Sequence, residues 1–440
     1  MRNKIRFIVA SMLFALLGFL GSPALAALST EVIDAADGVD DPFDFSLEFQ
    51  FEQDYQWATV SRERNTFSSL QPDMLEQNEF EVKHVKNILN IVGCIGMYHD
   101  LEFHFLIPVI ISESHSGEMS SHWRDKYWGG GFSTDSLAQA GRPSLLTDSV
   151  FGYAGWDMTH RGFGDMQIGF TYGIFANDRD PDRPSFNVTL DLELPTGPEQ
   201  NPKMNPSSVN SQRGQGTIGV GKKLVSFIFK TDLSMRFGVA DPYFGIWYKL
   251  PISTGGLISD PRHQGGFNLG TEIVAFELIP ENTSEPLWKV AFDLGMKISL
   301  YGRGQDFNEI TDSLAWRKDD SSIEAWPTDP RAFAVDNQNM FYEYANRPPD
   351  YELPINGRYA QFEGVLGFYT IFYHYLMLKT QVKAGHRTEH FLSLADKVDS
   401  ETLRPADKGA YNTQINEVGA RVKLEKSFIL SWNVSLSLLY

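Results

Sequence analysis

The sequence predicts an all-β fold: a transmembrane antiparallel barrel of up-and-down topology. Three observations carry that prediction, namely an export leader, repeated alternation of apolar and polar residues over about ten positions, and connections that are alternately tight and long. The 440 residues hold 38 Lys and Arg against 56 Asp and Glu, a formal net charge of −18, with 13% aromatic residues and one Cys. Charge of that sign repels phosphate backbones, so no nucleic-acid partner is expected. A hydrophobic content of 42% is too high for a disordered chain. The mean hydropathy of −0.26 argues against a helical membrane bundle. Alternating strands escape that average, because half of their residues are polar.

The leader comes first. Arg2, Lys4 and Arg6 form a positive head, residues 7–20 an apolar stretch, and Ala24-Leu25-Ala26 a small-x-small cleavage site. Gly21, Ser22 and Pro23 end the apolar stretch short of the roughly twenty residues a helical anchor needs. Residues 1–26 are therefore expected to be a signal peptide, 27–42 a short acidic segment, and 43–440 a single barrel in the outer membrane of a Gram-negative bacterium. Loss of the three leader cations takes the charge from −18 to −21. No Cys follows the cleavage site, so no lipid anchor is indicated. The short segment before Phe43 cannot form a plug domain, which argues against an energy-coupled receptor. Cys94, without a partner for a disulfide, reads as a small packing residue in the apolar run 91–97.

The strands follow. Phe43, Phe45, Leu47, Phe49 and Phe51 alternate with Asp44, Ser46, Glu48, Gln50 and Glu52, which places five large apolar groups on one face of a strand. The pattern returns over 186–194, 225–237, 288–300 and 428–440, the last ending on Tyr440. Weaker runs are 88–97, 101–111, 164–175, 242–250, 267–278, 359–372, 376–387 and 414–425. A soluble sandwich also alternates, but its strands average five or six residues, whereas a tilted membrane strand needs about nine to eleven. Open edges cannot persist in hydrocarbon, so such strands must close. These runs number thirteen, and bacterial barrels use even numbers. Twelve strands are favoured; fourteen is the alternative if one more hides within 302–357. Short connections fall at 98–100, 177–184, 237–241, 280–286, 374 and 425–427, and long ones at 58–78, 112–162, 196–222, 252–265, 302–357 and 388–411. This asymmetry matches short periplasmic turns and long external loops.

Gly162-Phe163-Gly164-Asp165-Met166-Gln167-Ile168-Gly169, followed by a hairpin and then Leu192-Glu193-Leu194-Pro195-Thr196-Gly197, resembles the outer-membrane family named for the MetA pathway of phenol degradation. Tyr98-His99-Asp100-Leu101-Glu102-Phe103, leading through Leu106-Ile107-Pro108-Val109, resembles the same family's first hairpin. The similarity covers roughly 89–197. It departs at Gly96-Met97-Tyr98, where the family often has Tyr-Gly before the turn. The resemblance implies an outer-membrane barrel and, less directly, transport of hydrophobic compounds. Read from the residues alone, Gly162, Gly164 and Gly169 suit the start of a strand where bulk is excluded. Pro195 and Gly197, flanking Thr196, suit a strand's exit into a turn, so these positions and Asp165 are read as structural.

Candidate chemistry is sparse. His115, Ser116 and His122 with Asp125 offer hydrolase or metal-ligand residue types, but at no specific spacing and in an expected loop, so no catalytic residue and no enzyme activity is predicted. Gly129-Gly130-Gly131 lacks the Lys-Ser or Lys-Thr of a phosphate cradle. Asp180 with Asp182, and Asp319 with Asp320, lack a twelve-residue calcium loop and read as solvated charge. No cofactor or metal is expected.

The interior charges are more telling. Asp44, Glu48, Glu52, Asp191 and Glu193 come from early strands, and Lys379, Lys383, Arg387, Arg421 and Lys423 from late ones, all predicted to line the lumen. Opposite signs on one lumen allow ion-pair networks that plug it, a transverse field across an aqueous pore, or simple solvation. The aromatics Trp316, Trp326, Phe333, Phe341, Tyr342 and Tyr344 of the longest loop suit a packed cap or an apolar mouth. Expected partners are outer-membrane lipid, a small-molecule solute, and the barrel-assembly machinery through the strand ending at Tyr440. Three functional readings stand: a passive channel or transporter for small hydrophobic molecules, a non-transporting surface barrel with a plugged lumen, and an exported soluble β-sandwich binding protein.

Overall fold

The first alternating run extends far past its apolar stretch, into a wall taller than a membrane requires. In the computed structural model β1 (Phe45–Thr66), β2 (Asp73–Tyr98) and β3 (Leu101–Met119) are 22, 26 and 19 residues long. The chain continues through β4 (Trp156–Phe163), β5 (Met166–Phe175), β6 (Ser185–Leu194), β7 (Leu224–Ser234), β8 (Ala240–Ser253), β9 (Gln264–Leu278) and β10 (Trp288–Tyr301). The short β11 (Gly304–Gln305) and β12 (Ile355–Asn356) precede β13 (Tyr359–Phe372), β14 (Leu376–Arg387), β15 (His390–Phe391), β16 (Val422–Leu424) and β17 (Ser427–Leu439). The structure describes residues 45–66, 73–98, 100–119, 156–175, 183–200, 219–280, 286–309, 353–373, 375–394 and 421–439. The expected leader, the acidic segment, Asp44, His122, Asp125, Gly129 to Gly131, the Asp180/Asp182 and Asp319/Asp320 pairs, the cap aromatics and Tyr440 lie outside them. No helix occurs among the described residues.

Successive strands pair antiparallel, and the ladder returns on itself: β17 pairs with β14 on one side and β1 on the other, while β1 also pairs with β2. Both β4 and β5 lie on β3, and both β16 and β17 lie on β1. With each broken strand counted once, the result is a closed ring of twelve antiparallel strands. A two-sheet sandwich is thereby set aside, since the twelve strands close into one ring through the β1–β2 pairing.

The thirteenth run resolves into a break rather than a turn. Leu424 stands opposite Val60 and Phe428 opposite Trp57, so residues 425–427 carry the chain onward along β1 with a one-residue slip instead of reversing it. The expected separate strand at 414–425 is, among the described residues, only β16 on the same ladder. Two expected long loops are also corrected. Most of 58–78 is strand, with Ala58 opposite Val82 and Val60 opposite Phe80, and 112–119 continues β3. The alternation fades there because both faces carry polar groups that the folded loop end buries, Arg62 and Glu63 among them.

The outer face of the ring is apolar. Phe428, Val434, Leu436 and Leu438 on β17, Phe292, Leu294 and Met296 on β10, and Phe244 and Ile246 on β8 are all exposed. From Phe428 to Leu438 is roughly ten steps, about 33 Å of strand; at a tilt of about 40° that gives a band of about 25 Å, the height of a lipid-facing belt. Aromatic clusters rim it. Tyr55, Trp57 and Phe428 stack at the loop end (centroids 5.5 and 5.8 Å), and Phe276, Trp288 and Phe372 meet at the turn end (5.4 and 6.0 Å). Amphipathic rings favour such interfaces.

Candidate functional site in the barrel lumen

Because alternate residues point to opposite faces, each strand that shows Phe or Leu outward presents its polar set inward. On β6 this set is Ser185, Asn187, Thr189, Asp191 and Glu193; the first four are buried. Asp191, wholly buried, accepts from His104 Nε2 (2.6 Å) and Gln167 Nε2 (2.6 Å) and pairs with Lys230 (2.7 Å). Glu193 takes both Lys249 Nζ (2.7 Å) and Ser226 Oγ (3.1 Å). Lys383 of β14 reaches Glu52 of β1 (3.2 Å), which also accepts from Ser431 of the intervening β17 (3.2 Å). Glu48 and Lys379 are on the same inner face and make no ion pair among the described residues.

The remaining predicted lumen residues lie at the loop end. Arg387, the last residue of β14, donates to Glu309 Oε1 (2.8 Å), and Gln56 of β1 donates to the same oxygen (2.9 Å). Arg421 forms a two-pronged pair with Glu63 (2.6 and 2.8 Å), and Lys423 pairs with Glu389 (3.1 Å). The chain after β10 thus crosses the mouth. Asp306 meets Lys222, just before β7 (2.7 Å), and Glu309 meets β1 and β14, nearly diametrically opposite in the ring. Burial would raise the Glu309 carboxyl, but Arg387 and the neighbouring His390 hold it down at about 2. Burial lowers His390 to about 4, with Arg387 acting in the same direction. Around this crossing Gln305 accepts from the amides of Ser259 and Asp260 (2.6 and 2.9 Å), and Leu224, Ile258 and Leu353 form a small apolar core.

The motif residues come together at the break between β4 and β5. Gly162 has φ +140°, a backbone region that disfavours side chains. Asp165 accepts from the amides of Gly197 and Lys222 (3.0 Å each), while Thr196 accepts from Met166 N (2.9 Å) and donates to Gly164 O (3.3 Å). Pro195 ends the strand β6 that enters this knot. Gly169 leaves the space in which Asp191 and His104 meet, since a Cβ there would collide with both.

Between the two ends lies a cavity of about 500 Å³, the size of a small-molecule site. Lys230, Lys249, Lys297, Lys379 and Lys383 line it beside Tyr243, Trp247 and Tyr369, with Asp232, Glu272 and Asp293. Most of these were not singled out from sequence. The period-two phase of 242–250 would have turned Tyr243, Trp247 and Lys249 inward, but apolar residues stand on both faces of that strand. The turn end is closed on one side by Val274, Ala291, Tyr369, Ile371 and Met377, around a buried Lys289–Glu272 pair (3.1 Å) that Tyr369 also joins. His115 and Ser116, expected in a loop, lie in β3.

No protein-family model and no curated protein matches the chain. Among solved structures, it is similar to an outer membrane channel from Pseudomonas putida F1 at 11% identity, with 92% of this chain and all of that one covered and a TM-score of 0.41. A FadL homologue from Pseudomonas aeruginosa follows at 9% identity, 90% of each chain covered and TM-score 0.29. The outer membrane protease OmpT of Escherichia coli stands at 6%, with 90% and 97% covered and TM-score 0.28. Scores this low leave the functional reading to the chain's own geometry.

Proposed function

We propose that this protein is an outer-membrane channel giving passive passage to small molecules. The observation that carries the reading is the cavity of about 500 Å³ enclosed by a ring whose outer face is a lipid-height apolar band. The export leader and the motif resemblance to the MetA-pathway family support it. Hydrophobic solutes, the expectation from that resemblance, suit the lining less well than small amphipathic ones. Tyr243, Trp247 and Tyr369 offer apolar surface, while Lys297 and Lys379, without ion pairs among the described residues, offer positive charge. A non-transporting barrel is the second reading, favoured by the segment that crosses the mouth from Lys222 to Gln56.

Liposome swelling and planar-bilayer conductance with the processed chain discriminate them. Passage is expected for small amphipathic anions ahead of neutral sugars of equal size. Absence of conductance and of swelling, both in the native chain and in a variant lacking the Arg387 and Lys222 tethers, would overturn the channel reading.

A further inference from the structure

The register of β2, β3 and β4 gathers three histidines and a carboxylate on the inner wall, with His84 opposite Gln56 and so level with the rim aromatics Tyr55 and Trp57. His84 stands opposite His115, and Glu113 opposite His160. The His84 and His115 rings stack at 4.1 Å, 21° from parallel, and the His160 ring meets His115 edge-on at 5.7 Å. Glu113 Oε1 lies 3.0 Å from His84 Nε2 and 3.5 Å from His115 Nε2. One donor atom from each of His84, Glu113 and His115 lies within 4.8 Å of the others. The slip between Ile110 and Glu113 aids this convergence by bringing Glu113 onto the inner face.

We propose that His84, Glu113 and His115 bind one divalent cation of the zinc type, a site independent of solute passage. A tetrahedral ion with bonds of about 2.0–2.1 Å sets its ligands about 3.3 Å apart, and the two His–Glu separations bracket that value. Two imidazoles and one carboxylate select a borderline metal such as Zn²⁺, Co²⁺ or Ni²⁺ over Ca²⁺ or Mg²⁺, which prefer all-oxygen shells. The ligands are neither sealed nor fully solvated: side-chain exposures are 22% for His84, 15% for Glu113 and 14% for His115. His84 and His115 border a cavity of about 10 Å³, about the size of one water or ion, together with Ser116, Gln56 and Glu309. Lys86 Nζ, 3.5 Å from Glu113 Oε2, is the competing partner that an arriving cation has to displace.

Sequence spacing pairs His115 with its chain neighbours, whereas strand pairing supplies His84 from 31 positions upstream.

The test is Zn²⁺ binding to the full processed chain, refolded in detergent micelles and free of any affinity tag, read by competition with a chromophoric chelator. One equivalent should bind, at micromolar affinity or tighter. His84→Gln and His115→Gln should each weaken it at least about tenfold, and Lys86→Ala should tighten it. Folding of every variant is read by heat-dependent gel mobility. Should a variant fail to fold, Co²⁺ absorption on the native chain replaces it: intense visible bands erased by one equivalent of Zn²⁺ are expected. Absence of saturable binding, equal affinity in the His84→Gln/His115→Gln chain, or only the faint spectrum of hydrated Co²⁺ would overturn the proposal.

Discussion

Replacing Lys289 with Met removes the ammonium from beside Glu272 at the turn end of the lumen. Both side chains are almost fully buried, 2% and 3% exposed, and the charged atoms are 3.1 Å apart. At an effective dielectric of about 20 their attraction is about 5 kcal/mol, set against a desolvation cost of several kcal/mol for each ion. The pair as a whole is therefore close to neutral for stability, but half of it is not. Lys289→Met should cost about 3–5 kcal/mol, and Glu272→Gln a comparable amount, because each leaves the other charge in a low-dielectric wall. The double variant Lys289→Met/Glu272→Gln keeps an acceptor for the Tyr369 hydroxyl and should lie within about 2 kcal/mol of the native chain, a coupling of at least about 4 kcal/mol. Urea titration of the barrel in lipid vesicles, followed by tryptophan fluorescence and gel mobility, measures all four corners of the cycle. A single-variant cost below about 1 kcal/mol, or simple additivity, would refute the assignment of this pair as a buried, mutually dependent unit.

Gly169→Ala should destabilise by about 1–3 kcal/mol in the same titration, because its Cβ meets Asp191, His104 and the Leu190 carbonyl in a space already filled. Asp165→Ala removes the acceptor of two amides and should cost about 2–4 kcal/mol, with protease sensitivity rising first beside Gly197 and Lys222; unchanged cleavage would count against the knot. For His390 the sign follows from its folded value of about 4, against 6.5 for the free group: the unfolded chain binds the extra proton first. Its contribution is fully present above about pH 6.5 and is lost as the pH falls towards 4, amounting to about 3 kcal/mol. Limited proteolysis of the loop end against pH should follow that window, and His390→Gln should flatten it.

How much of this was legible depends on which face of a strand pays attention to water. On β6, β10 and β17 one face is uniformly apolar, and on β7 only Thr231 interrupts it, so Leu190, Phe229, Phe292 and Leu436 fix the phase, and Asp191 and Lys230 follow inward. On β8 the inner face holds Tyr243 and Trp247 while the outer holds Phe244, Ile246 and Tyr248, and the contrast that reveals a phase is gone. Above the rim, Arg62 and Glu63, adjacent on β1 and so on opposite faces, are both buried, and the buried apolar residues Val60, Phe80 and Val82 stand among polar neighbours instead of forming an exposed apolar face. The signs of the lumen charges could be read along the chain, but their pairing could not: Glu52 and Lys383 become neighbours only because closure sets β17 between β1 and β14.

On the channel reading, that closure also sets where resistance to passage would be concentrated. Glu52–Lys383 and Glu193–Lys249 each step over a single strand, and Asp191–Lys230 joins adjacent ones, so these pairs lie along the wall and leave the middle open. The crossing segment is different, since Lys222–Asp306 and Gln56–Glu309–Arg387 tie opposite sides of the mouth together. Gating and solute preference should then separate by mutation. Arg387→Ala loosens one tether and should raise the open probability in single-channel records several-fold while leaving the ratio of anion to cation passage unchanged. Lys297→Glu/Lys379→Glu inverts charge beside the cavity and should lower that ratio while leaving the open probability alone. If both variants shifted both quantities together, the mouth and the cavity would be one barrier, and the wall-lying ion pairs would have to be reread as parts of a plug.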